Sequence, residues 1–201
     1  AEAAWNTVSD FNADTVAIIK HHNPCGLASD SDQPTAYTRA FEGDPVSAYG
    51  GIVAFNRTVT EETCKAFGAT FYEVVVAPSY TPQALTVLQR RKNLRVLEVT
   101  LAEKDLDYRF IPGGLLIQDA DIMEEDPTTW QIMTKEQPSE KQLEDMKFAW
   151  RAAKHVKSNA IVLASTQTLL GMGAGQPNRV TSIHLAIRTA GEKATGSVLA
   201  S

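Results

Sequence analysis

Residues 16–26 read VAIIKHHNPCG. Four apolar residues, Val16 to Ile19, run straight into Lys20, His21 and His22. Asn23-Pro24-Cys25-Gly26 then carries the residue types of a turn. A short, continuous, partly β-branched run bounded by turn signals reads as a buried strand. Three basic side chains at the far end of that strand stand on a rigid mount, where α/β folds commonly build sites.

Outward from this stretch, strands and helices alternate. Upstream, Ala3, Ala4, Trp5, Val8 and Phe11 have helical spacing. Downstream, a polar loop (30–33) leads to a helix over 35–41, which Gly43-Asp44-Pro45 ends. Gly50-Gly51 opens a strand over 52–55. Thr60 can cap a helix running to Phe67, with Glu61 and Glu62 suiting its positive end. Val74-Val75-Val76, within a strand over 71–77, is continuous enough to be buried on both faces. Thr81-Pro82 starts a helix with a cap and a first-turn proline, ending in the basic run Arg90-Arg91-Lys92. A strand over 94–99, a polar stretch and Leu115-Leu116-Ile117 follow. Ser139-x-x-Gln142 is a capping box ahead of a long helix whose buried face is expected at Leu143, Met146, Trp150, Ala153 and Val156. Segments 160–164 and 169–172 read as paired strands. Asn178 caps a last helix reaching Ala190. The class is α/β. A boundary is expected within 119–138, where Asp, Glu, Pro and Thr concentrate.

Composition narrows the function classes. The chain has 201 residues, 43% hydrophobic and 21% charged, enough for one domain or two small ones. Its net charge is −5, from 19 basic and 24 acidic residues, with no long run of one sign. This argues against a nucleic-acid surface but allows a small anionic ligand. No window is long and apolar enough for a membrane span, and no signal peptide opens the chain. Two distant cysteines, Cys25 and Cys64, suit reduced thiols and a cytoplasmic location better than a disulfide. The chain opens inside a helix-like segment and closes on strand-like GSVLAS, as an excerpt of a longer protein would.

Four clusters could carry chemistry, each with a plainer alternative. Lys20-His21-His22-Asn23 could supply a general base and an oxyanion-stabilising cation, or be a solvated basic turn. Lys157-Ser158-Asn159 mirrors it in the second half and could orient a carboxamide, or be a capped helix end. Gly171 to Arg179 (GMGAGQPNR) could bring backbone N–H groups and a phosphate-binding arginine to an anion, or be a glycine-rich connection. It lacks the third glycine of a dinucleotide fingerprint. Ser47 to Gly51 could let a ligand ring lie on backbone, or simply lead into a strand. A zinc deaminase is argued down: position 28 is Ala28, where Pro-Cys-x-x-Cys needs a second cysteine. No metal site is assigned.

Taken together, VAIIKHHNPCG, GDPVSAYGGIVAFN, FYEVVVAP, GGLLIQD, KFAWRAAKHVKSNAIV, GMGAGQPNRV and GSVLAS resemble the AICAR transformylase domain of the bifunctional transformylase/IMP cyclohydrolase family, bacterial type. The segments occur in the family's order and cover most of the chain. The resemblance implies cytidine-deaminase-like three-layer α/β units, one nearly complete (1–125) and a second partial (126–201), with the cyclohydrolase domain outside the sequence. It implies formyl transfer from 10-formyltetrahydrofolate, a cosubstrate, to the 5-amino group of AICAR. No tightly bound cofactor is implied, though family members allow a monovalent cation near 156–160.

By the same resemblance Lys20 and His21 are the catalytic pair, with Asn159 holding the reacting groups. Gly50, Glu73, Asn159 and Arg179 fall at substrate-binding positions, and Val46, Tyr49 and Val180 lie near the folate. His22 is structural. The implied partners are the two small molecules and, in the full-length protein, a second copy in a homodimer; no nucleic acid and no membrane is implied. Family segments (an upstream Arg-Tyr-Gly, a downstream Asp-Ala-Phe-Phe-Pro-Phe) are not among these residues, so this piece alone is expected to have little activity. Two alternatives stay open: a fragment or degenerate homologue that only binds ribonucleotide or dimerises, and a relative using formate in place of folate.

Overall fold

The computed structural model describes residues 1–100, 106–122 and 126–201. In chain order the elements are α1 (Glu2–Ser9), β1 (Thr15–Lys20), β2 (Asn23–Ser29), α2 (Gln33–Gly43), α3 (Pro45–Ala48), β3 (Gly51–Phe55), α4 (Glu61–Ala66), β4 (Tyr72–Ala77), α5 (Pro82–Leu88), β5 (Arg95–Glu98), β6 (Leu106–Ile111), β7 (Gly114–Asp119), α6 (Glu140–Lys154), β8 (Ile161–Ser165), β9 (Thr168–Gly173), α7 (Arg179–Ala190) and β10 (Val198–Ala200). They form two compact units, Ala1–Val99 with Pro138–Ser201, and Thr100–Gln137. The polar stretch expected after Val99 covers 101–105, and the expected division at 125/126 touches 123–125; both lie outside the described residues.

The larger unit is a mixed α/β fold on an eight-stranded sheet, ordered β10-β8-β9-β2-β1-β3-β4-β5. Alternation along each strand sends side chains to opposite faces. Val16 and Ile18 join Val53, Phe55 and Val75 beneath Ala36, Ala40, Cys64 and Ala84 of α2, α4 and α5. Ala17 and Ile19 point the other way, with Leu27, Ala54, Val76, Val162 and Ala164, against Ala4 and Val8 of α1 and Phe148, Ala149 and Ala152 of α6. Ile161 and Leu163 pack under Ala186 and Ala190 of α7. Helices therefore cover both faces.

Local signals set the helix starts. Asp32, Thr60, Thr81 and Asn178 each accept a backbone N–H of the first turn, and Ser139 with Gln142 forms the full capping box. Two expectations shift. Helix α5 stops at Leu88, ahead of the basic run, and Arg91 turns back to the carbonyls of Gly68 and Thr70. The fully buried residues of α6 are Asp145, Phe148, Ala149 and Ala152; of the expected face Met146 and Ala153 pack at the margin of the same core and Val156 is buried just past the helix, while Trp150 is exposed. Small Ala149 and Ala152 sit in the core beside Val162 and Ala164. The Asp145 carboxylate accepts the Gln167 N–H at 2.7 Å, which turns the helix away from the simpler apolar stripe.

The largest correction falls in the opening stretch. Asn23 to Gly26 is no turn; it begins β2. The turn is His21-His22, the two residues between paired Lys20 and Asn23, with φ of 50° and 69°. A two-residue hairpin favours left-handed central residues, whose twist matches that of the strands. Pro24 is tolerated because the β1–β2 register shifts at Ile18/Ile19, a bulge that spares a ladder bond. Gly26 is required by packing, since a Cβ there would lie 2.1 Å from the Ala40 carbonyl oxygen.

The same device recurs downstream. Apart from the short α3, elements α6-β8-β9-α7-β10 repeat the order α1-β1-β2-α2-β3, and the third strand pairs antiparallel with the first in each set. The β8–β9 turn is Thr166-Gln167, with φ of 53° and 49°. Gly171 packs as Gly26 does, its Cβ position 2.2 Å from the Ala186 carbonyl oxygen. Thus the counterpart of the His21-His22 turn is Thr166-Gln167, not Lys157-Ser158-Asn159, which precedes β8. Left-handed turn residues occur in both hairpins, so they are a property of the hairpin rather than a mark of chemistry.

The smaller unit is the β6–β7 hairpin and its flanks. Leu106 pairs with Asp119 and Ile111 with Gly114, around Pro112 and Gly113 at φ 82°. Pro then Gly with positive φ is the type II turn pattern. Strand β6 was hidden in the stretch read as polar; the alternation Leu106, Tyr108, Phe110 was its signal.

Two substitutions test this account with opposite signs. Gly171→Ala should cost at least about 2 kcal/mol by overpacking against backbone. Thr166→Gly should gain about 1 kcal/mol by relieving a β-branched residue of left-handed φ. Urea midpoints, at unchanged slope, measure both.

Candidate functional site

Strand direction alone gathers the candidate residues. Strand β1 runs antiparallel to β2 and β3, β3 parallel to β4 and β5, β2 antiparallel to β9, β9 antiparallel to β8, and β8 antiparallel to β10. The ends of β1, β9 and β10 therefore share one sheet edge with the starts of β2, β3, β4, β5 and β8. On that edge stand Lys20, Tyr49 and Gly50, Glu73, Asn159, the loop before Arg179, and Ser201. From β8 to β4 it spans five strand spacings, roughly 24 Å.

Lys20, Tyr49 and Gly50 are in contact. Lys20 Nζ donates to the Tyr49 carbonyl at 2.6 Å. Gly50 takes φ +67°, and a Cβ there would come 3.1 Å from Lys20 Nζ. Its N–H donates to the Phe71 carbonyl at 2.8 Å. His21 is exposed at the first position of the turn, beside Lys20. Val46, Tyr49 and Val180 are 87%, 63% and 55% exposed, so apolar surface is open where a planar ligand ring could lie.

Asn159 is laced to the loop between β9 and α7. Its Nδ2 donates to the carbonyls of Gln176 at 2.8 Å and Pro177 at 3.3 Å. Its own carbonyl accepts from Ser182 Oγ at 2.8 Å, and the Gly175 N–H donates to the Lys157 carbonyl at 2.9 Å. With the amide N–H groups committed to main chain, Oδ1 is the Asn159 atom that can accept from a ligand. The peptide bond before Asn159 is cis. The two halves of the edge are joined by Asn23, whose Oδ1 accepts the Lys157 N–H at 3.0 Å.

Other candidates are engaged by neighbours. Glu73 pairs with Arg95 at 3.1 Å, and Arg179 donates to the Ser201 hydroxyl. In the glycine-rich run, Gly171 and Gly173 serve packing against α7, where Cβ positions meet the Ala186 and Ser182 carbonyl oxygens. The Val180 and Thr181 N–H groups are taken by Asn178 Oδ1, so the helix start is capped internally rather than held open for an anion. The Lys157 and Asn159 carbonyls each accept a hydrogen bond already. Among the described residues no three His, Cys, Asp or Glu side chains cluster as a metal site.

Burial, with a smaller contribution from Asp44, pushes the Cys25 thiol up to about 12. Burial likewise pushes Cys64 up to about 11. Neither is a nucleophile. Among the described residues no helix is long and apolar enough to cross a membrane.

Sequence reasoning missed Asn23 as the bridge, Ser182 as the hydroxyl under Asn159, and Phe71. Asn23 stood inside a quoted cluster, but nothing local announced a partner 134 residues away.

The segment bearing Asn159 is also tied at its root. Asp10, at the end of α1, lies 2.8 Å from His155 Nε2 and 2.9 Å from Lys154 Nζ. Desolvation raises the Asp10 carboxyl, but hydrogen bonds and charge from His155 and Lys154 outweigh it and hold the group below its usual range. A depressed folded value stabilises above the unfolded pKa and is lost as pH falls through the folded one. Asp10→Asn should therefore cost about 1 kcal/mol near neutral pH, a cost that shrinks as pH falls below the ordinary carboxylate range, read from denaturation midpoints across pH.

Over residues 1–189 the sequence matches the family described as AICARFT/IMPCHase bienzyme. It is 48% identical over 206 residues to the bifunctional purine biosynthesis protein PurH of Bacillus cereus. It is 45% identical over 213 residues to the bifunctional purine biosynthesis protein purH of Dictyostelium discoideum. Each alignment covers all of this chain but only 40% and 39% of those proteins, so the chain spans about two fifths of the relatives it matches. A family match over nearly the whole sequence, with two relatives near half identity, establishes that this chain belongs to the AICARFT/IMPCHase bienzyme family.

Proposed function

We propose that this chain carries part of an AICAR transformylase site and, with the rest of the protein, transfers a formyl group from 10-formyltetrahydrofolate to the 5-amino group of AICAR. One observation carries the reading. Residues from six of the seven motifs fall on one sheet edge by strand direction, although they are scattered from Lys20 to Ser201.

In this reading the AICAR amine attacks the formyl carbon. A tetrahedral oxyanion forms, the bond from carbon to the folate N10 breaks, N10 takes a proton and the former amine loses one. The amine is a poor nucleophile, because its lone pair is drawn toward the carboxamide. Catalysis needs a proton acceptor at the amine and a cation or donor at the oxyanion. His21, exposed beside Lys20, takes the amine proton and orients the carboxamide. Lys20, on a strand end, stabilises the oxyanion and returns a proton to N10. Asn159 Oδ1 accepts from the nucleotide, and Arg179, Gly50 and Glu73 complete its seat. Val46, Tyr49 and Val180 give the folate an apolar surface.

The same reading takes the fold as cytidine-deaminase-like units, one over 1–125 and part of a second from 126; the repeated order of elements supports it. A second copy in a homodimer completes the site.

Calorimetry with AICAR, on this chain and on a chain of the relatives' full length, tests the proposal. Binding and formyl transfer are expected in the longer chain, with little transfer by the 201-residue chain. In the longer chain, Lys20→Ala or His21→Ala should lower turnover at least about 100-fold. Near-normal turnover in either variant would sink the assignment, and absence of binding in both chains would mean the fold is kept without the chemistry.

A further inference from the structure

Lys20 is a long, flexible side chain whose ordering costs conformational entropy, so something beyond its own strand must hold it. Its ammonium rests on the Tyr49 carbonyl at 2.6 Å, a short charge-assisted bond. Tyr49 precedes Gly50, and both touch one further residue. The Phe71 ring lies 5.6 Å from the Tyr49 ring, centroid to centroid, with the planes at 53°. The Phe71 carbonyl accepts the Gly50 N–H at 2.8 Å. A side chain on Gly50 would stand 3.1 Å from Lys20 Nζ and 4.0 Å from the Phe71 ring, so the three groups enclose one small space.

The link between α4 and β4 that carries Phe71 is itself fixed from behind. Arg91 donates to the Thr70 carbonyl at 2.9 Å and to the Gly68 carbonyl at 2.7 Å. Its guanidinium lies 5.3 Å over the Phe67 ring. A continuous run of contacts thus leads from Arg91 through the link to Phe71, from Phe71 to Tyr49 and Gly50, and from the Tyr49 carbonyl to Lys20.

We propose that Phe71 is a positioning residue for Lys20: its ring holds Tyr49 and its carbonyl holds Gly50, so that the Tyr49 carbonyl fixes where the ammonium stands. The purpose of fixing it rests on the transformylase reading; the placement does not. A residue serving only packing would change stability without selecting one lysine.

The test is competitive acetylation of the folded 201-residue chain with acetic anhydride at a single pH, read by peptide mass spectrometry as the Lys20 to Lys141 ratio. Lys141 is exposed on the first turn of α6 and serves as the internal reference. Phe71→Ala should raise the ratio about threefold or more, and Phe71→Tyr, which keeps a ring, should hold it near the parent value. Tyr49→Ala should raise it equally, and the double variant no further, because both act through one contact. An unchanged ratio in folded Phe71→Ala, or effects that add in the double variant, overturns the proposal. If Phe71→Ala does not fold, Tyr49→Ala decides: a rise supports the proposal and no rise overturns it. AICAR calorimetry on the same proteins separates the two ideas. A parent that never binds AICAR removes the transformylase reading, while the labelling ratio still judges Phe71.

Discussion

The arrangement depends on the seam where β2 meets β9. There Ala28 faces Thr168, and the Ser29 N–H reaches the Gln167 carbonyl at 3.0 Å. The seam is narrow, but its antiparallel sense is decisive. It turns the second set of elements so that the start of β8 falls on the edge where β1 ends. Reversing it would carry Asn159 to the far edge, away from Lys20. The bond from Lys157 N–H to Asn23 Oδ1 then closes the edge locally, at a point no strand pairing reaches.

Much of the local structure was legible because its causes are local. Thr60, Thr81, Ser139 and Asn178 cap helices through atoms two or three residues away, and their residue types announce it. The buried runs of β1 and β4 follow from continuous apolar sequence. What misled was punctuation. Asn23-Pro24 and Cys25-Gly26 carry turn chemistry, yet one residue type is excused by a bulge and another is demanded by the Ala40 carbonyl. Both reasons lie across the sheet and leave no mark in the neighbouring sequence. The buried face of α6 was legible in part: Met146, Ala153 and Val156 do reach the core, but Trp150 does not, and Asp145 is drawn inward by a backbone donor on a distant turn.

For the site, spacing alone left each cluster balanced against a plain alternative, and the resemblance to a family weighted the choice. The fold adds something independent of both. Lys20 and Tyr49 are 29 residues apart and hydrogen-bonded, and Asn23 and Lys157 are 134 apart and hydrogen-bonded. It also subtracts, for two glycines of the Gly171 to Gly175 run serve helix packing rather than a ligand. Phe71 and Ser182 were illegible because an aromatic beside a strand and a serine in a helix are ordinary in any domain.

The acceptor chosen for Lys20 has an electrostatic consequence. Tyr49 offers a neutral carbonyl, not a carboxylate, so hydrogen bonding holds the ammonium without cancelling its formal charge. Arg179 is likewise engaged through a neutral group, the Ser201 hydroxyl. A chain of net charge −5 thereby leaves the charges of Lys20 and Arg179 uncancelled by these contacts on one edge. Uncancelled positive charge on an edge speeds the approach of a small anion before any contact is made. The rate of that encounter should slow as salt shortens the reach of the field to about 10 Å and below.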